Sequence, residues 1–224
     1  DLPRDSDFYR GLPYLERYVY GLRWSHARAK SVENLTLGLL PHSKADVVMS
    51  YFQCPDSLLH RFWIFHKDPE AIRERLATHG IPADRAEELH RRFGKVVKAC
   101  YQDVDARVGR ILEATRGPDT YVFVVSDHGF GNAPVPHRLK GEPYSGDHLD
   151  DGIMLATGPG IPAGKVRDGL SILDVTPTVV HLMGLALARD MRGEVATDRL
   201  GRYDQAVRFV PTYRQPCTHN ATLM

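Results

Sequence analysis

Apolar residues along this chain fall into two rhythms: short continuous runs, and longer stretches that step by three or four. The runs are Asp46 to Phe52 (DVVMSYF), Tyr121 to Val125 (YVFVV) and Ile153 to Thr157 (IMLAT). Such composition predicts strands buried on both faces. The stepping stretches predict helices. Pro13 stands at a helix start and Tyr14, Leu15, Tyr18, Val19 and Leu22 follow at helical spacing, so an amphipathic helix is expected over residues 13–32. Leu58 to Phe65 predicts a short helical stretch rich in aromatics. Asp84 is placed to cap a long helix running to about Arg116, with Leu89, Phe93, Val97, Cys100, Val104, Val108, Ile111 and Leu112 as its buried stripe. Thr176 offers an N-cap, Pro177 a first helical position, and Gly184 the stop after Met183. Strands alternating with helices predict an α/β domain with a largely parallel sheet. Residues 213–224 are expected to be a loose tail.

The bulk properties narrow the partners. Lys+Arg (29) nearly balances Asp+Glu (28), so the basic footprint of a nucleic-acid binder is missing. No apolar stretch approaches the ~18 to 20 residues that span a bilayer. Cys54, Cys100 and Cys217 are too few and scattered for a disulfide framework, and Cys100 falls on the apolar helix stripe, where core packing is its expected role. Compartment and oligomeric state leave no readable mark. The chain begins with Asp1 rather than Met, and the expectation is a piece of a longer protein, its targeting signals, if any, upstream.

Candidate chemistry gathers near the ends of the predicted strands. Asp127-His128-Gly129 follows the run at 121–125, on the rim where open α/β sheets place ligand sites. Asp56 and His60 follow the run at 46–52. Four apart, they share one face of any helix beginning at Pro55, within reach of a single ion. His148 emerges from about 22 residues, Phe130 to Asp151, that are rich in Pro and Gly and read as a long functional loop. Parallel strands bring their ends to one edge, which would let the first two groups converge while the loop delivers the third. Imidazole plus carboxylate ligation suits zinc, with manganese or iron as alternatives. Each group has an ordinary role by itself: Asp56 as a helix cap, His60 as a half-buried histidine, the acidic residues around His148 as a solvated loop. Coincidence of all three makes the metal reading stronger than its parts. The other histidines, at 26, 42, 66, 79, 90, 137, 181 and 219, are expected at the surface or in packing, with His137 kept open because it shares the loop with His148.

Four segments together resemble the C-terminal half of the alkaline phosphatase superfamily, most closely its type I phosphodiesterase and nucleotide pyrophosphatase branch. They are Asp56-Ser-Leu-Leu-His60, Val125-Ser-Asp-His-Gly-Phe130, Gly146-Asp-His148 leading into Gly152-Ile-Met-Leu-Ala-Thr-Gly-Pro-Gly160, and Asp174-Val-Thr-Pro-Thr178 running to Gly184. The resemblance covers roughly residues 45–195. It implies an α/β sandwich, with residues 1–212 as the C-terminal portion of one metal-dependent hydrolase domain that lacks its N-terminal part. It also implies two divalent ions, zinc first and manganese second: Asp56, His60 and His148 on one, Asp127 and His128 on the other. Two ions about 4 Å apart would clamp an in-line displacement at phosphorus on a small phosphorylated substrate.

Two departures qualify the resemblance. The family supplies a further aspartate and a nucleophilic Thr or Ser from an earlier region, and nothing before Asp56 matches either. Ser57, Ser126 and Ser145 lie near the ligands but do not occupy the nucleophile's place, so no catalytic residue is assigned. Arg138 and Lys140 could steady an anionic substrate, but solvated loop charges are the better account of them. The rival readings are a sulfatase, against which the histidine-rich Asp56-x3-His60 counts, and a cofactor-independent phosphoglycerate mutase, which Ser126 and Phe130 fit less well. A non-catalytic metal-binding fragment or pseudoenzyme is the rival from another class. Monoester, diester and pyrophosphate substrates would share these ligands.

Overall fold

The structure is a computed structural model that describes residues 14–78, 82–132, 138–139, 142–143, 146–164, 168–196 and 206–214. It divides into two compact units, residues 1–116 with 128–152, and residues 117–127 with 153–224.

The first unit is mainly helical. Helix α1 spans Tyr14–Leu39. It outruns the predicted 13–32 because no Gly or Pro interrupts the chain from Arg23 to Leu37, and a turn at Leu40–His42 containing Pro41 ends it. Its buried side chains, Tyr18, Ser25, Ala29 and Glu33, step by seven and four and so share one face. Helix α2 covers Cys54–Phe62, with Pro55 in its first turn, and a 3-10 turn continues it over Trp63–His66. Helices α3 (Pro69–Thr78), α4 (Ala86–Phe93) and α5 (Val96–Thr115) follow.

The single helix expected over 84–116 is therefore two. Asp84 sits in a 3-10 turn and makes no side-chain cap to α4. The break falls at Gly94, where a Cβ would lie 2.6 Å from the His90 carbonyl oxygen and 3.1 Å from that of Phe65. Only glycine tolerates that approach.

Phe62, Phe65 and Phe93 meet Tyr18 with ring centroids 5.3 to 5.9 Å apart, two of the three pairs edge to face. Leu58, Leu59, Ile72, Leu76, Ala86 and Leu89 complete this core. Below the aromatic cluster, Arg107 on α5 is buried and clamps α1. It pairs with Glu33 and donates from Nε to Asp103 at 2.8 Å, and Arg110 also binds Glu33.

Two expectations fail in this unit. The run 46–52 forms neither helix nor strand; Val47, Val48, Met49 and Tyr51 are all exposed, Met49 at 91%. An apolar run becomes a buried strand only where a neighbour takes its backbone hydrogen bonds and cover closes its faces. The predicted loop 130–151 also contains ordered strands. Its two ends are arms of an antiparallel pair, β2 (Gly129–Asn132) and β5 (Gly146–Leu149), with Phe130 opposite His148. Between them the short β3 (Arg138–Leu139) and β4 (Glu142–Pro143) pair antiparallel. His137, Lys140 and Ser145 lie outside the described residues.

The second unit contains β1 (Val122–Val125), β6 (Met154–Thr157), helix α6 (Val175–Leu182), β7 (Leu187–Ala188) and β8 (Phe209–Val210). Strands β1 and β6 pair antiparallel, Val122 opposite Thr157 and Val125 opposite Met154; β7 and β8 are parallel. Helix and strand are mixed, as an α/β class requires, but the described residues form two-stranded sheets rather than one large parallel sheet. A two-stranded ribbon cannot cover both of its faces, so Leu155 is 61% exposed where a doubly buried strand was expected.

The start of α6 also differs from expectation. Thr176 lies inside the helix and Asp174 at its N-cap position makes no side-chain cap; the reciprocal capping box is that of Ser171 with Asp174, on the 3-10 turn Ile172–Asp174 that leads into α6. The predicted stop holds: Gly184 takes φ +71°, and the Leu185 N–H reaches back to the Val180 carbonyl. Of the expected loose tail, Tyr213 and Arg214 are described; the Tyr213 hydroxyl donates to the Ala186 carbonyl, and the Arg214 N–H to Thr212 Oγ1 at 3.0 Å. Residues 215–224, with Cys217 and His219, lie outside the described residues.

Candidate metal centre

Within the first unit, α2 and the β2–β5 pair bring four of the five predicted ligands together. Asp56 and His60, one turn apart on α2, place Oδ1 and Nε2 3.2 Å from each other. His148, on β5, puts Nε2 3.0 Å from the same Oδ1 and 3.1 Å from Nε2 of His60. His128 lies just before β2. Its ring stacks on His148 at 3.6 Å between centroids, and its Nε2 is 3.8 Å from Asp56 Oδ1. The agent of convergence is thus a helix against a hairpin, rather than the shared edge of a parallel sheet.

Backbone carbonyls fix which nitrogen faces inward. A carbonyl only accepts, so Nδ1 of His60, 2.9 Å from the Gly146 oxygen, carries the proton and donates it. Nδ1 of His128 donates likewise to the Gly129 carbonyl at 2.8 Å. In the neutral rings both Nε2 atoms then present lone pairs. Two imidazole nitrogens and a carboxylate oxygen in a triangle of 3.0 to 3.2 Å require positive charge among them, either a proton or a cation. Tetrahedral zinc with bonds of ~2.0 to 2.1 Å would separate its ligand atoms by roughly 3.3 Å. The triangle fits.

The electrostatics agree with that need. The hydrogen bond from His60, ahead of an opposing burial effect and a second bond from His148, holds the Asp56 carboxyl below the ordinary carboxylate range. Burial opposes charging of His60, but the contacts with Asp56 and the Gly146 carbonyl outweigh it and raise the imidazole above its ordinary value. The pocket prefers an ionised aspartate facing a positive partner.

Several supporting residues escaped the reading of the sequence. Phe130 sets its edge against His60 at 5.0 Å and lies 5.9 Å from His148, backed by Trp63 at 5.5 Å. Trp63 is anchored in turn by donation from Nε1 to Asn132 at 2.8 Å. At Gly146 a Cβ would come within 2.3 Å of Phe130 and 2.8 Å of Trp63, so only glycine lets this carbonyl reach His60. The available signal was the alternation of Phe130 and Asn132 on one side of a strand, hidden by the glycines that made the segment look like a loop.

Asp127 is exposed and belongs to the second unit, as the last residue of 117–127. Of the serines near the ligands, Ser126 is spent on the sheet: its N–H donates to the Ile153 carbonyl at 3.0 Å, and its Oγ accepts the Ile153 N–H at 2.9 Å. Ser57 is buried, with Oγ bonded to the Gln53 carbonyl and 3.2 Å from Ser25 Oγ. Neither hydroxyl is presented as a nucleophile.

Among known proteins, a family model described as type I phosphodiesterase / nucleotide pyrophosphatase matches residues 5–173. Among the chain's curated relatives are proteins named 2,3-bisphosphoglycerate-independent phosphoglycerate mutase. The one from Bacteroides thetaiotaomicron is 34% identical over 92 residues, 41% of this chain and 18% of that protein. The one from Natronomonas pharaonis is 29% identical over 112 residues, 47% of this chain and 21% of that protein. The one from Streptomyces coelicolor is 33% identical over 93 residues, 39% of this chain and 18% of that protein. The chain thus spans about a fifth of the length of these relatives. No solved structure gives a significant match.

Proposed function

The chain belongs to the type I phosphodiesterase / nucleotide pyrophosphatase family, and from that premise we propose that it supplies the histidine-rich ligands of a divalent-metal centre for phosphoester chemistry. The observation that carries this reading is the triangle of Asp56 Oδ1, His60 Nε2 and His148 Nε2, with every edge between 3.0 and 3.2 Å. These three residues hold one ion. His128, with Asp127 next to it in sequence, is assigned to a second ion on the family resemblance. Zinc is the first choice for imidazole and carboxylate donors, manganese the second. Bound divalent ions supply Lewis acidity toward phosphoryl oxygens and lower the pKa of an attacking oxygen. The chain's own part is to aim Nε2 atoms through carbonyl-held Nδ1 protons, and to keep Asp56 ionised. The whole protein then hydrolyses a small phosphorylated substrate, with a Thr or Ser nucleophile that lies upstream of this chain.

A second reading, the mutase, draws on the names of the curated relatives. It would use the same ligands, and the phosphoryl acceptor, water or a second hydroxyl of the substrate, separates the two. The test has two parts. Calorimetric zinc titration of this chain should give tight binding that falls more than about 100-fold in His148→Ala and His60→Ala, beyond the 10- to 100-fold typical of supporting residues. Unchanged zinc binding in both variants would sink the ligand assignment. The full-length protein should then release p-nitrophenol from a phosphodiester; interconversion of phosphoglycerates without release would select the mutase instead.

A further inference from the structure

The helix that carries Asp56 and His60 opens with a cysteine, and that cysteine faces another. Cys54, first residue of α2, and Cys100, on α5, are buried thiols with their sulfurs 3.6 Å apart. Two sulfurs from positions 46 apart in sequence meet side by side across a helix–helix interface. A disulfide needs ~2.05 Å between them, so an approach of roughly 1.5 Å, shared by two side chains, would close the bond. Residues 46–52, which lead into α2, belong to no helix or strand.

Access is provided on the same side. A recess of about 90 Å³ is lined by Cys54 together with Arg28, Tyr51, Phe52 and Gln53, large enough to admit a peroxide to this sulfur. A pair of thiols at contact distance, one of them lining an opening, differs from two cysteines buried independently for packing.

We propose that Cys54 and Cys100 are an oxidisable dithiol that closes to an intrachain disulfide, with a peroxide as the oxidant. The peroxide O–O bond breaks as its oxygen passes to the Cys54 sulfur, giving a sulfenic acid and one water. The Cys100 sulfur then attacks the Cys54 sulfur. The S–O bond breaks, the S–S bond forms, and the thiol proton leaves with the hydroxyl as a second water. In sum, two thiols and hydrogen peroxide give one disulfide and two waters. The bond would tether the first turn of α2, which bears Asp56, to α5.

The experiment uses the full chain with Cys217→Ser, which leaves both core cysteines in place. Folded protein treated with hydrogen peroxide should lose two titratable thiols and the mass of two hydrogen atoms. A peptide map should find Cys54 joined to Cys100, and dithiothreitol should restore both thiols. In a Cys100→Ser variant the same treatment should leave Cys54 as a sulfenic acid that dimedone captures, with no crosslink. The proposal is overturned if both thiols of the parent survive treatment, if each gains oxygen without crosslinking, or if the crosslink forms only in urea.

Discussion

The helical core of the first unit and strands β6 and β8 of the second treat apolar residues in opposite ways. In the first, Phe62, Phe65 and Phe93 close around Tyr18 and are at most 3% exposed. In the second, Ile153, Leu155 and Phe209, all in or beside strands, are each more than half exposed. The difference lies in where partners come from. Helices of one unit supply each other's cover from nearby sequence, whereas a ribbon of two strands has no further layer within its own pairing to cover both faces. The candidate metal ligands on α2 sit on the well-packed kind of scaffold, and that is what lets four side chains hold one arrangement.

The strongest way to break this contrast is to hollow the first core. Phe62→Ala removes a fully buried ring that touches Tyr18, Phe65 and Phe93. The expected loss is about 4 kcal/mol of unfolding free energy, read from urea denaturation followed by fluorescence. Because α2 bears Asp56 and His60, zinc binding should weaken with it. A loss under about 1 kcal/mol would mean that the aromatic cluster is not a core.

Next in size is the clamp between α1 and α5. Arg107→Met leaves Glu33 buried with only half-exposed Arg110 to balance it, and should cost roughly 3 kcal/mol. The pH dependence follows from Glu33. Its bond to Arg110, opposed by burial and supported by the charge of Arg107, holds its carboxyl below the ordinary glutamate value. A depressed folded-state pKa contributes stability that is full above the ordinary glutamate range and disappears as pH falls through the folded value. The wild type should therefore lose stability on acidification below that range more steeply than Glu33→Gln. Parallel slopes in the two proteins would show that Glu33 is not the responsible carboxylate.

A finer probe tests the scaffold of the metal centre itself. Phe130→Ala removes the ring that edges His60 and His148 without touching a ligand atom. Zinc affinity should fall about 10-fold, within the range for supporting residues, while the stoichiometry stays unchanged. Loss as large as that of His148→Ala would instead point to collapse of the hairpin.

How much of this was written in the sequence depends on the range of the interaction. Asp56 and His60 could be placed on one helical face because their spacing alone decides it once Pro55 starts the helix. The Gly184 stop was equally local. The run at 46–52 and the parallel sheet were not legible, since alternation and β-branching say what a strand would bury but not who pairs with it. His148 was found for its chemistry, yet its delivery by a strand opposite Phe130 depended on a pairing partner 18 residues away. The break at Gly94 likewise answers to Phe65, a residue 29 positions earlier.

The smallest expected effect sharpens the contrast from the other side. Leu155 is 61% exposed on β6, so Leu155→Thr removes little buried area and keeps a residue that favours strands. Its cost should stay within about 0.5 kcal/mol, the range for surface positions, against about 4 kcal/mol for Phe62→Ala. Thr also lowers the apolar surface of the ribbon, so this chain should remain monodisperse to higher concentration in light scattering. A cost near that of a core leucine would show that β6 is covered in solution by something that the strand pairing alone does not provide, and the distinction between the two units would fall.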